Sequence, residues 1–312
     1  LCDWSSDVCS SDLPLPSPPM QIRLGCELTL SCPAPTAALA LVHPHSSCRD
    51  ALSAPEQLLI SPDRTTEVLV DRDGNRWCRF HAAAGSTTLR YEALLRDHGG
   101  SDPVVPLARA CSVAALPIES YRYLNASRYC DSDSLQTLAW QRFGSLTPGW
   151  RQVETICDWV HHHLTYDPGA ASQERTALDS LQDGRGVCRD FAHLAITLCR
   201  ALNIPARYCS GYLGEDAPRP GETGIDFTAW FEAWLEDRWY VFDAHNNVPC
   251  TGRVLIGRGR DAGDVPFLRT FGPHTLEQFS VFSERVVSRT TPLVPARLPY
   301  CWSGRGTGPL VH

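Results

Sequence analysis

A cysteine placed where a helix begins is one of the few arrangements that turn an ordinary side chain into a nucleophile. Residues 186–191, Gly-Val-Cys-Arg-Asp-Phe, have that form. A glycine-led loop runs into Cys188, and from Val187 to Leu202 apolar residues cover a broad face until Asn203 and Pro205 end the pattern. The start of a helix carries partial positive charge and unpaired N–H groups. Both favour a thiolate over a thiol. The same N–H groups can hold the oxyanion that develops during acyl transfer. The competing reading is a buried cysteine that follows a turn and does no chemistry.

A thiolate used this way needs a base that later returns a proton to the leaving group. The chain has eleven histidines, and few are placed for the task. His193 lies five residues after Cys188, about 140° around a helix, and faces elsewhere. His161, His162 and His163 are consecutive on a helical segment, cannot converge on one point, and read as a solvated face. His245 is two residues after Asp243; if the strand continues, both point to the same side, and His245 is a candidate substitute base. A strand-end loop that aims it outward is the alternative.

Two further segments carry a recognisable pattern: Asp226-Phe-Thr-Ala-Trp-Phe-Glu-Ala-Trp234 and Arg238-Trp-Tyr-Val-Phe-Asp243. With Gly186–Leu202, Ile204–Leu213 and Gly257–Asp264 they give the order cysteine, strand, aromatic-rich hairpin, aspartate. This resembles the transglutaminase-like superfamily with its papain-type core, in the bacterial branch that carries an N-terminal β module. The resemblance spans about Met20 to Val287. It implies that Cys188 attacks an amide or acyl carbonyl, that a histidine serves as base and then acid, and that Asp243 orients the histidine. The position before Ala229-Trp230, where the resemblance calls for that histidine, is Thr228. A threonine hydroxyl cannot accept a proton near neutral pH. Gln182, six residues before Cys188, is a candidate oxyanion donor by analogy with papain-like sites, or a surface loop residue. Asp190 reads as an anchor for the loop or as a first-turn acid that satisfies the helix dipole.

The implied reaction is hydrolysis or transamidation of a peptide or protein amide. No metal or organic cofactor is expected, since no acidic loop of the calcium-binding kind is present. The competing class is a binding or scaffold protein that keeps the cleft without its base.

The elements that must position these residues follow from periodicity. Short apolar alternations at Ile22–Ser31, Thr66–Asp71, Trp77–His81 and Thr87–Leu94, broken by Pro33, Pro35 and Asp73-Gly74, predict strands of a β-sandwich-like module over 20–117. Over 118–287 the period changes. Leu135, Leu138 and Ala139 have helical spacing, and so do Val153, Ile156, Cys157, Val160 and Leu164 after Pro148. Strands are predicted at Ala206–Leu213, Ala229–Leu235, Trp239–Phe242, Val254–Ile256 and Phe279–Val287. The expectation is an α+β fold in which a papain-like core, helices packed on an antiparallel sheet, follows the β module.

Composition narrows the setting. Of 312 residues 43% are hydrophobic and 20% charged, so the length can bury one large or two modest cores. The net charge of −7 opposes a nucleic-acid partner, and no apolar run is long enough for a membrane span. All 28 basic residues are arginine. Fourteen cysteines include Cys130, Cys157 and Cys199 in apolar helical patterns; read as buried free thiols, they favour a reducing cytoplasm. Residues 1–19 resemble translated adapter sequence, with Met20 as the expected start, and 288–312 reads as a loose tail.

Overall fold

The structure, a computed structural model, describes residues 20–97, 99–214 and 227–287. The leader at 1–19 and the tail at 288–312 lie outside the described residues. The N-terminal part contains β1 (Met20–Cys32), β2 (Thr36–Ala40), β3 (Gln57–Ser61), β4 (Glu67–Val70), β5 (Arg76–Ala82) and β6 (Gly85–Asp97). Next come α1 (Ser132–Phe143), α2 (Trp150–His163), β7 (Thr165–Tyr166), α3 (Ala177–Asp183), β8 (Arg185–Gly186) and α4 (Cys188–Ala201). The chain then runs through β9 (Ala206–Tyr212), β10 (Thr228–Leu235), β11 (Arg238–Phe242), β12 (Val254–Gly259), β13 (Leu268–Thr270) and β14 (Thr275–Val287).

Period-two burial builds the N-terminal sheets. On β1, Ile22, Leu24, Leu28 and Leu30 face inward, and Leu89, Tyr91, Ala93 and Leu95 do the same on β6. One sheet has the order β14-β1-β6-β3, the second β13-β2-β5-β4. Each therefore takes an edge strand from the far C-terminal side of the chain. The Asp73-Gly74 turn forms because Gly74 adopts φ +85° and the Asp71 carboxylate accepts the N–H groups of Asp73 and Asn75.

The third sheet, β11-β10-β9-β12, is antiparallel throughout. Helix α4 lies against it and is buried on nearly every side, since α1, α2 and α3 also pack on it. The helical layer thus covers one sheet face, with Phe231 and Phe242 stacked at 5.7 Å and Trp150 of α2 against Phe242 at 4.6 Å. The N-terminal module is tied to the same sheet. Arg258 N donates to Asn75 Oδ1 at 2.8 Å, and His45 N donates to Leu255 O at 2.7 Å. Cys157 and Cys199 are buried within α2 and α4. Cys130, equally buried, precedes α1 instead of lying in a helix, because Ser132 begins the helical run only after Asp131. No helix among the described residues is long and apolar enough to cross a membrane.

Candidate active site

The loop before Cys188 is held from both ends. Gly184 ends α3 in the left-handed region at φ +65°. Strand β8 then pairs in parallel with β7, and Asp167 N donates to Gly186 O at 2.9 Å. At Gly186 a side chain would collide with Asp190, whose Cβ lies 2.6 Å from where a Cβ would stand. That close approach lets Asp190 Oδ2 accept the Val187 N–H at 2.9 Å, while Arg189 donates to its other oxygen at 3.3 Å. Asp190 is therefore the acid that braces the first turn. Burial pushes its carboxyl above the ordinary range against the opposing pull of Val187 N–H and Arg189. Cys188 sits half-buried as the first residue of α4.

Tyr208 of β9 is buried against His193 of α4, ring centroids 5.1 Å apart. Burial, with the charge of an ionised Cys188 adding to it, pushes the Tyr208 hydroxyl well above its usual range and keeps it protonated. Tyr166, which pairs with Gly186, and Phe191, one turn into α4, hold the His245 ring between them at centroid distances of 4.9 and 5.0 Å. His245 is 3% exposed, and its carbonyl accepts from His161 Nδ1 at 2.9 Å. The structure thus brings His245 to the end of α4 that carries Cys188.

Asp243 is held where β11 ends by a set of four hydrogen bonds. Its Oδ1 accepts the backbone N–H groups of His245 and Asn246 at 3.0 and 2.9 Å. Its Oδ2 accepts Asn246 Nδ2 at 2.8 Å and Arg253 Nη2 at 2.6 Å. A carboxylate has about four acceptor positions, and these bonds fill them. Burial works to raise the pKa of Asp243, but the Arg253 guanidinium and the Asn246 bonds outweigh it and hold the group below the ordinary carboxylate range. Arg253 continues to Asp102 Oδ2 at 2.9 Å and lies over the Trp230 ring at 4.9 Å. Asp243 therefore grips the main chain of His245.

Thr228 opens β10 opposite Gly211 and is 3% exposed. Alternation along the strand puts it on the face of Trp230 and Glu232, while Phe231 faces the helices. Gln182 is exposed near the end of α3, where it borders a surface hollow of about 250 Å³ with Arg175, Asp179 and Asp183. His193 is fully buried, stacked on Tyr129 at 5.2 Å, with Nε2 accepting Ala262 N–H. Burial drives its pKa well down, and it is neutral. Sequence reasoning did not single out Tyr208, Tyr166 or Arg253. A tyrosine on an apolar strand and an arginine ten residues past the aspartate carry no local signal.

A cysteine heading a central helix, packed on an antiparallel sheet, defines the papain-type class of α+β proteins. A family model for the transglutaminase-like superfamily matches residues 136–244. A solved structure from Cytophaga hutchinsonii, named as a candidate cysteine protease, superposes with TM-score 0.76 at 31% identity, covering 89% of this chain and 94% of its own. An uncharacterized protein of Mycobacterium leprae is 39% identical over 122 residues, which is 38% of this chain and 43% of that protein. The human kyphoscoliosis peptidase is 29% identical over 99 residues, 30% of this chain and 15% of its own. The chain belongs to the transglutaminase-like superfamily. It spans less than half the length of the curated relatives it matches.

Proposed function

We propose that the chain performs acyl transfer at an amide, with Cys188 as nucleophile and His245 supplying the imidazole that Thr228 lacks. The observation that carries this reading is the His245 ring set between Tyr166 and Phe191 at the start of α4. In the reaction the Cys188 thiolate adds to the carbonyl carbon, and the α4 N–H groups hold the oxyanion. Collapse breaks the C–N bond, the imidazolium protonates the departing amine, and a thioester remains. Water or a second amine, deprotonated by His245, then releases the acyl group. Asp243 and Arg253 position His245 through its backbone. The substrate class we assign is a peptide or protein amide, in keeping with the protease names of two relatives.

A second reading has its own observation. With Thr228 in place of histidine and every acceptor of Asp243 engaged, the site is a cleft that binds without turnover. One experiment separates the two. Cys188 alkylation is followed from pH 5 to 9, with amide hydrolysis on a peptide library, in wild type, Cys188→Ala and His245→Ala. The catalytic reading expects turnover that both substitutions abolish, and alkylation at pH 6 that His245→Ala slows. Turnover that survives Cys188→Ala overturns it, and an inert wild-type thiol at pH 6 favours the binding reading.

A further inference from the structure

On the side of the core sheet away from α4, a cleft of about 330 Å³ opens between the Asp73-Gly74 turn, the 3₁₀ turn at Ile118–Tyr123 and strands β9, β11 and β12. Its volume falls at the lower end of small-molecule sites. It lies on the sheet face opposite α4, because Arg207 lines it while the next residue on β9, Tyr208, packs on His193 of α4 at 5.1 Å. Arg72, Arg122, Arg207 and Arg258 line it, with Asp73 and Glu119. Glu232 pairs with Arg207 and lies 4.0 Å from Arg258. Among the described residues four guanidinium groups thus meet three carboxylates, a local excess of positive charge in a chain whose net charge is −7.

Several donors of these arginines are uncommitted. Arg122 uses only Nη2, for Asp73 Oδ1 at 2.6 Å and the Tyr123 hydroxyl. Its Nε and Nη1 make no hydrogen bond among the described residues. Arg258 uses Nε on Asp73 O at a long 3.4 Å, and neither terminal nitrogen makes a hydrogen bond among the described residues. The guanidinium planes are also braced. Arg207 lies over the Trp239 ring at 4.0 Å and Arg122 over Tyr123 at 4.5 Å, which lowers the entropy lost when they bind. The positive field reaches outward: His45 is held below its usual pKa by burial first and then by Arg258 and Arg207.

We propose that this cleft is a binding site for a phosphoryl group, carried by a small molecule or as free phosphate, gripped by Arg122 and Arg258 with Arg207 behind them. Guanidinium forks suit phosphate oxygens, which accept several parallel N–H bonds at once. The site needs no lysine, and the chain has none.

The test is calorimetric titration of the full chain with inorganic phosphate and, separately, phenyl phosphate, at a constant ionic strength of about 150 mM set with sodium chloride. Saturable binding of at least one probe is expected, weakened about tenfold or more by Arg122→Ala and by Arg258→Ala, since bonds to a charged group are lost. Arg79→Ala, which removes an exposed ion pair elsewhere, leaves binding unchanged. Glu119 is exposed and makes no side-chain bond among the described residues. Glu119→Gln therefore preserves the fold, removes a competing charge and tightens binding roughly two- to fivefold. Preference for phenyl phosphate assigns the site to a phosphorylated molecule, and preference for inorganic phosphate to the free anion. The proposal is overturned if neither probe saturates, if citrate binds more tightly than both, or if Glu119→Gln leaves phosphate binding unchanged.

Discussion

Replacing Asp243 by Asn tells a structural clamp from a catalytic partner. The substitution keeps the shape, and the amide oxygen can still accept the N–H groups of His245 and Asn246. At the other end an NH₂ group now meets Arg253 Nη2 and Asn246 Nδ2, so donors face donors. The charge-assisted bond to Arg253, worth about 1.5–3 kcal/mol, is lost. The Arg253 side chain is only 7% exposed, and Asp102 remains as its sole carboxylate partner among the described residues. Breaking a buried pair costs roughly 3–5 kcal/mol, and the surviving Asp102 contact places the expected loss near the lower end, about 3 kcal/mol. Urea unfolding at pH 7 measures it. The sign with pH follows from the depressed pKa of Asp243. Its contribution is present above the unfolded carboxylate value, near 4, and is lost as pH falls through the lower folded value, so the substituted protein has a shallower acid limb. Cys188 alkylation, followed in the same samples, falls only as far as His245 is released. The reasoning fails if stability at pH 7 changes by less than about 0.5 kcal/mol while amide turnover drops about 10⁴-fold, the signature of an acid that acts on the imidazole itself.

Three other outcomes are expected. Gly186→Ala brings a methyl group within 2.6 Å of Asp190 Cβ; it should cost about 1–3 kcal/mol in chemical denaturation and slow Cys188 alkylation, and a neutral result would show that the loop yields freely. Thr228→His combined with His245→Ala should not restore the amide turnover lost in His245→Ala alone, because residue 228 shares the sheet face of Trp230 and Glu232, opposite the helices, and should cost about 1–3 kcal/mol of overpacking at a buried position; recovery of turnover would show that an imidazole at 228 reaches Cys188. Burial pushes the Cys26 and Cys130 thiols up to about 12. Their stabilisation is whole below the unfolded thiol value near 9 and is lost as pH rises towards 12, so one pH unit above 9 each should cost about 1.4 kcal/mol in urea unfolding. An unchanged midpoint between pH 8 and pH 10 would contradict their burial.

Local rules were enough for the parts of the fold that repeat within a few residues. The inward alternation of β1 and β6, the helical run from Cys188, the Asp73-Gly74 turn and the aromatic hairpin of β10 and β11 could be read directly, because each depends on short-range geometry. So could the family, since the order of Cys188, hairpin and Asp243 survives in the chain. The direction of His245 was not legible. The rule that residues two apart share a strand face holds only while the strand lasts. Asp243 ends it by capturing the N–H groups of residues 245 and 246, and the turn carries the imidazole to Phe191 on α4.

Long-range pairing lay beyond the sequence for the same reason. Alternation marks a strand but names no partner. That β14 pairs with β1, and β13 with β2, across more than two hundred residues depends on which buried faces remain open once the core has folded. Arg253, Asp102 and Asp243 are likewise an accident of no local pattern. They meet because a carboxylate that is 3% exposed must find a cation, and only the packed tertiary structure decides which one is near.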